Sequence, residues 1–208
     1  MTSENDNLDR VYGARTPEES AAAYDDWAAG YDGDNLAGGF HLPFIAAGLL
    51  ARHVPAGEAP ILDAACGTGL VGTALQVLGY REIVGVDLSE GMMGVARHRG
   101  YARCYRHRLG TALPEADDSF AGAVCTGAFG PGHAPPETLE ELARVTRPGG
   151  VVVFNTLSRS MVEQGFPEVM DRLVNAGRWR LLFESEDFRP FILTEPDLLA
   201  RLFAFGID

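Results

Sequence analysis

Asp63-Ala64-Ala65-Cys66-Gly67-Thr68-Gly69-Leu70-Val71-Gly72 is the stretch on which the fold turns. The apolar run Ile61-Leu62-Asp63 leads into it and reads as a strand. Leu70 to Leu78 follows as a helix that Gly79 ends. Gly67, Gly69 and Gly72 satisfy the spacing G-x-G-x-x-G, which lets a ligand approach the backbone and the helix N-terminus. Glu82 to Asp87 then reads as a second strand, whose last acid lies 20 residues beyond Gly67. Loop, acid and spacing, taken alone, form a dinucleotide-binding fingerprint, with Asp87 able to accept both ribose hydroxyl protons.

The same alternation continues outward. Ser89 caps a helix reaching about His98, and Tyr101 to His107 reads as a third strand. Ser119 to Cys125 reads as a fourth strand. Pro136 to Thr146 reads as a helix, with Leu139, Leu142, Ala143 and Val145 as its apolar set. Arg147-Pro148-Gly149-Gly150 reads as a turn before a buried fifth strand, Val151 to Asn155. Beyond it come a helix over Met161 to Ala176 and strands over Trp179 to Glu184 and Ala200 to Ile207, a pair expected to make an antiparallel edge. Upstream, Thr16-Pro17-Glu18-Glu19 is a capping box opening a helix to about Gly30, and a second helix fits Pro43 to Val54. Repeated strand–helix alternation predicts an α/β fold: about seven strands, mostly parallel, covered on both faces.

Composition narrows the partners. The 208 residues carry 17 basic and 29 acidic side chains, net −12, and such a surface argues against a nucleic-acid partner. All the basic residues are arginine, which removes lysine Schiff-base chemistry and the Walker lysine. Cys66, Cys104 and Cys125 form no CxxC, and His41, His53, His98, His107 and His133 form no HxxxH, so no metal site is expected. No apolar run is long enough for a membrane helix, and the polar, acidic opening residues predict neither a signal nor a transit peptide. A cytoplasmic protein without a membrane partner is the expectation, its oligomeric state left open.

Which nucleotide follows from charge. Asp63 ends the strand ahead of the glycines, and no basic residue lies in the loop. A carboxylate there repels a pyrophosphate but suits the sulfonium and ammonium of S-adenosylmethionine. At these residues the chain resembles the class I S-adenosylmethionine-dependent methyltransferases. ILDAACGTG is similar to their first motif and IVGVDLSEGMM to their second; LPEADDSFAGAVCTGAF and LARVTRPGGVVVFNT resemble their fourth and fifth strand regions. A closer likeness, carried by YDDWAAGYDGD and DRLVNAGRW, is to the methyltransferase-like proteins of the Williams–Beuren syndrome region and their bacterial relatives.

That resemblance implies a Rossmann-like sheet with an N-terminal helical lid, and roles by position. Asp63 and the Gly67 backbone would hold the methionine ammonium, with Thr68 and Gly69 facing the methionine portion. Asp87 would bind the ribose diol, Leu88 and Met92 would pack on adenine, and Thr126 would sit near the sulfonium. Where many relatives carry an acid for the adenine amino group this chain has Leu109, so backbone groups at Leu109 and Gly110 would read that edge. Tyr24 and Tyr31, on one face of the first helix and its end with Trp27 and Ala28, would border the methionine end. They dock the helix, close a lid on the cofactor, or do both; a tyrosine face attracts a sulfonium by about 0.5–2 kcal/mol.

The loops beyond the strand ends place Phe129, His133, Phe188, Arg189 and Phe191 toward the acceptor. His133 and His41 are the candidates for a general base, but in-line displacement can run on proximity and desolvation, and no catalytic residue is assigned. No Asp/Asn-Pro-Pro-Phe/Tyr signature follows the fourth strand, which argues against transfer to DNA adenine or glutamine nitrogens. The expected organisation is a flexible 1–15 and one methyltransferase domain over 16–208. Within it, 16–55 is the lid region, 56–160 the cofactor core, and 161–208 a helix and strand pair. The expected activity is methyl transfer to a small molecule. A cofactor-binding protein without catalysis, a protein methyltransferase and an NAD(P)-dependent oxidoreductase are the alternatives.

Overall fold

A computed structural model describes residues 6–130 and 132–208. Its strands are β1 (Ile61–Ala64), β2 (Ile83–Asp87), β3 (Arg103–Arg106), β4 (Phe120–Cys125), β5 (Thr146–Leu157), β6 (Trp179–Glu184) and β7 (Ala200–Ile207). They form one sheet in the order β3-β2-β1-β4-β5-β7-β6. The first five are parallel, and β7 runs antiparallel to both β5 and β6. The expected antiparallel pair is therefore present, with β7 inserted beside β5 and β6 outermost.

Alternation of side chains splits the core into two layers. From β5, Val152 and Phe154 face one layer and Val151 and Val153 the other. The first layer packs under helices α7 (Thr138–Val145) and α8 (Phe166–Asn175), with Leu139, Leu142, Phe166 and Val169 buried. The second packs under α4 (Leu42–His53) and α5 (Leu70–Val77), with Ala46, Leu50, Val71 and Leu75 buried. Burying one Leu of this kind stabilises by about 1.5–3 kcal/mol, which explains why strands buried on both faces read as unbroken apolar runs.

Several boundaries differ from the sequence reading. The stretch expected to be flexible holds helix α1 (Asp6–Gly13), whose Leu8 and Val11 are buried against Ala23 and Trp27; residues 1–5 lie outside the described residues. Helix α2 (Pro17–Trp27) ends before Gly30, and a short helix α3 (Tyr31–Ala37) follows where none was expected. Arg147–Gly150 stays within β5 as a bulge: Thr146 pairs with Phe120 and Val151 with Gly122, so the turn residues are looped out of the ladder. The helix expected from Met161 begins at Phe166, because Gly165 turns the chain at φ 81° and Pro167 supplies the first turn. Helix α6 (Glu90–Ala96) ends in a 3-10 turn at Arg97–Arg99, and β3 begins only at Arg103, which frees Tyr101 for another task.

Candidate active site

Four parallel strands end at one cavity that is open to solvent on one side. Ala65 to Thr68 line it after β1 and Asp87 to Ser89 after β2. His107 to Leu109 follow β3, and Thr126 to Ala128 follow β4. This is where strand order reverses between β1 and β4, the crevice in which open parallel sheets bind ligands. Ser20, Ala21, Tyr24 and Tyr31 of α2 and α3 cover it, and Gly132 to Ala134 close the far wall.

The glycine loop is held open by hydrogen bonds to its own strand neighbours. Gly67 and Gly69 take φ values of 53° and 94°, which only glycine adopts without strain. The Gly67 N–H donates to Asp87 Oδ2 at 2.8 Å and the Ser89 N–H to Asp87 Oδ1 at 2.9 Å. Each Asp87 oxygen keeps a further lone pair for a ribose hydroxyl. Burial raises the Asp87 carboxyl above its ordinary range, and the N–H groups of Ser89, Gly67 and Leu88 pull it back.

Asp63 is fully buried under the loop and does not line the cavity. Its Oδ2 accepts the Tyr101 hydroxyl proton at 2.5 Å, while Oδ1 has no partner among the described residues. Burial pushes this carboxyl up to about 7; the Tyr101 hydrogen bond opposes the rise and the charge of Asp87 adds to it. The Tyr101 oxygen also accepts the Gly72 N–H at 3.1 Å. That ring explains the third glycine: a Cβ on Gly72 would lie 2.3 Å from the Tyr101 Oη.

The lid is latched at two points. Asp25 accepts the Ser89 hydroxyl at 2.5 Å and the Gly91 N–H at 2.8 Å, tying α2 to α6. Asp32 accepts the Thr68 hydroxyl at 2.6 Å and pairs with Arg99, tying α3 to the glycine loop. Tyr24, Trp27 and Tyr31 pack together, with Tyr31 edge-on to both. Withdrawal from water raises the phenols of Tyr24 and Tyr31, so both stay neutral. Trp27 is anchored through its indole N–H to Asp34 at 2.7 Å.

The structure brings together Tyr24, Tyr31, Gly67, Thr68, Asp87, Leu88, Met92, Leu109, Thr126 and His133 on one cavity wall or another. Gly69 and Gly110 are not on that wall: a Cβ on Gly69 would meet Tyr101, and one on Gly110 would meet the Pro135 ring at 2.4 Å. Both pack against neighbouring side chains, and of the two residues expected at the adenine edge only Leu109 lines the cavity. His41 faces a separate groove with Ile45, Phe183 and Phe188, away from the glycine loop, which removes it as a base. Of the candidates in the later loop, Phe191 stacks on Phe40 of the cavity wall, while Phe188 lines the His41 groove. His133 Nε2 lies 3.3 Å from Ser20 Oγ and 3.5 Å from Tyr24 Oη. Sequence reasoning missed Asp25, Asp32, Tyr101 and Asn155. The last is buried and holds the Gly127 N–H on Oδ1 at 2.8 Å, fixing the loop after β4. A buried Asn ending an apolar run was the one local signal among them.

Comparison with known proteins agrees with this geometry. The family described as "Methyltransferase domain" matches residues 61–150, the span from β1 to the β5 bulge. Human "Methyltransferase-like protein 27" is 36% identical over 163 residues, covering 75% of this chain and 66% of that protein. The chain belongs to the class I S-adenosylmethionine-dependent methyltransferases. A "Demethylmenaquinone methyltransferase" of Symbiobacterium thermophilum is 35% identical over 69% of this chain and 65% of its own length. The chain thus spans just under two thirds of these curated relatives. Among solved structures, a TehB-like methyltransferase from Corynebacterium glutamicum has a TM-score of 0.66 at 22% identity, covering 90% of this chain and 99% of that one; it supports the methyltransferase fold.

The cofactor of this family is S-adenosylmethionine. The residues present fit it: Asp87 lines the cavity with lone pairs to spare, and buried Asp63, one oxygen unpartnered and its carboxyl lifted to about 7, is an acid behind the loop that a nearby cation would hold ionised. The described residues contain no His, Cys, Asp or Glu cluster suited to a metal, and no helix of theirs is long and apolar enough to cross a membrane.

Proposed function

We propose that this protein transfers a methyl group from S-adenosylmethionine to a small, largely apolar molecule. The observation that carries the reading is the cavity itself. Its cofactor side holds Asp87 and the glycine loop, with Asp63 buried behind them. The remaining wall sets the apolar Pro17, Ala21, Phe40, Pro43 and Ala128 beside a few polar groups, Ser20, Thr126 and His133 among them. The cofactor, when bound, supplies an electrophilic methyl on a cationic sulfur. Asp87 holds the ribose diol; Leu88, Met92 and Leu109 pack on adenine; Gly67 and Thr68 face the methionine end, with Asp63 supplying charge from below.

Tyr24 and Tyr31 turn neutral aromatic faces toward that cation and exclude water from it. Displacement that spreads charge from sulfur to product is favoured by such a dry, aromatic surround. His133 stands beside Tyr24 and Ser20 as the proton acceptor for a protic acceptor group. The relative named for demethylmenaquinone supports a small-molecule acceptor. The acidic surface, net −12, disfavours nucleic acid. A cytoplasmic setting and a single methyltransferase domain are part of this proposal.

Calorimetric titration with S-adenosylhomocysteine, S-adenosylmethionine and NAD, with Asp87→Ala as control, tests the reading. Binding of the two sulfur nucleotides that is lost in the variant and absent for NAD supports it. Binding of NAD alone overturns it.

A further inference from the structure

Two thiols meet beside the glycine loop. Cys104 sits on β3, opposite Gly85 of β2. Cys66 lies in the loop after β1, its N–H bonded to the Val86 carbonyl at 3.0 Å. Gly85 has no side chain, and both sulfurs occupy the space so left. A Cβ there would lie 3.0 Å from each of them, so the two are at most about 6 Å apart. The pair is walled by Met93, Ala96 and Tyr101. The two sides differ in access: Cys66 is buried and Cys104 is partly buried.

We infer that Cys66 and Cys104 are a redox pair whose reversible disulfide distorts the glycine loop. The asymmetry assigns the steps. The Cys66 S–H donates to its neighbour, the Gly67 carbonyl, at 3.8 Å. The closeness of the two thiols, with Arg97 nearby, holds the Cys104 thiol below its ordinary range, and that closeness with burial holds Cys66 above. Cys104 is thus the attacking thiolate and Cys66 the resolving thiol.

With a peroxide as oxidant, the Cys104 thiolate attacks one oxygen. An S–O bond forms, the O–O bond breaks, and the leaving hydroxide takes a proton as water. The Cys66 sulfur then attacks the sulfenic sulfur: the S–S bond forms, the S–O bond breaks and a second water leaves. Two thiols are oxidised and one peroxide is reduced to two waters. A thiol reductant reverses the bond by exchange.

The consequence for the cofactor rests on the function proposed above. Cys66 precedes Gly67, whose N–H is bound to Asp87. Drawing Cys66 toward β3 shifts that N–H and the loop that faces the methionine end. Disulfide geometry is narrow, so the flexible glycine loop, not the sheet strand, makes the adjustment. Cys125, fully buried on β4, lies in a different core layer and is expected to stay reduced.

The test treats the full chain with hydrogen peroxide, blocks residual thiols, and maps cysteine peptides by mass spectrometry. S-adenosylhomocysteine affinity is measured before oxidation, after it, and after dithiothreitol. A Cys66–Cys104 disulfide with affinity lowered by roughly tenfold or more, restored by dithiothreitol, supports the inference. Cys104→Ser is expected to keep its affinity through peroxide treatment. Two free thiols after oxidation, a disulfide with unchanged affinity, or an equal loss in Cys104→Ser would overturn it. Failure of the reduced protein to bind S-adenosylhomocysteine overturns the proposed function instead, and peptide mapping still decides whether the pair is redox-active.

Discussion

Replacing Asp63 with Asn separates the charge of this buried side chain from its shape. The carboxyl is fully buried, with one oxygen on the Tyr101 hydroxyl and the other unpartnered. Burial lifts it from an ordinary 3.8 to about 7. An acid whose folded value is raised holds its proton more tightly folded than unfolded. Its contribution is therefore most favourable below about pH 4 and is lost as pH climbs toward 7. At about 1.4 kcal/mol per pH unit, the ionised carboxylate costs the fold on the order of 4 kcal/mol above pH 7. Asn keeps an acceptor for Tyr101 and carries none of that cost.

Urea unfolding of both proteins, followed by circular dichroism between about pH 4 and pH 8, reads the difference. Asp63→Asn is expected to match the parent near pH 4 and to exceed it increasingly up to pH 7. In parallel, its affinity for S-adenosylhomocysteine is expected to fall, since the ammonium loses the charge beneath the loop. A stability difference that does not change with pH, or a variant less stable at pH 8, refutes the assignment of a buried, protonatable Asp63.

Gly72→Ala is expected to destabilise by about 1–3 kcal/mol in the same unfolding assay, because the new methyl meets the Tyr101 ring and breaks its bond to Asp63. Asp25→Ala leaves the Ser89 hydroxyl and Gly91 N–H without their acceptor. It is expected to cost roughly 1–3 kcal/mol and to raise amide exchange in α2 above that in the sheet. Tyr24→Leu is expected to weaken S-adenosylmethionine by about 0.5–2 kcal/mol more than S-adenosylhomocysteine, which lacks the sulfonium charge, measured by calorimetry; an equal loss for both would exclude the aromatic–cation contact.

Much of this protein was legible along the chain. G-x-G-x-x-G followed by Asp87 marked a loop and an acid that the structure brings together on the cavity wall, because turn geometry and spacing are local properties. Apolar runs buried on both faces marked the parallel strands, and the last two strands were placed to the residue. Other features needed the folded sheet. Tyr101 reads as the start of a strand, yet its hydroxyl ties Asp63 to Gly72 from 38 and 29 residues away. Asp25 and Asp32 read as ordinary solvated acids until α2 and α3 lie over the cavity and give them Ser89, Gly91 and Thr68. His133 and His41 are indistinguishable loop histidines in sequence. Only the three-dimensional path of the chain puts the first beside Tyr24 and the second in another groove. Cys66 and Cys104, 38 positions apart, meet because a glycine on the intervening strand leaves room for both sulfurs. Backbone conformation and periodicity depend on neighbours in sequence, whereas hydrogen-bond partners and shared cavities depend on which distant segments the sheet order brings together.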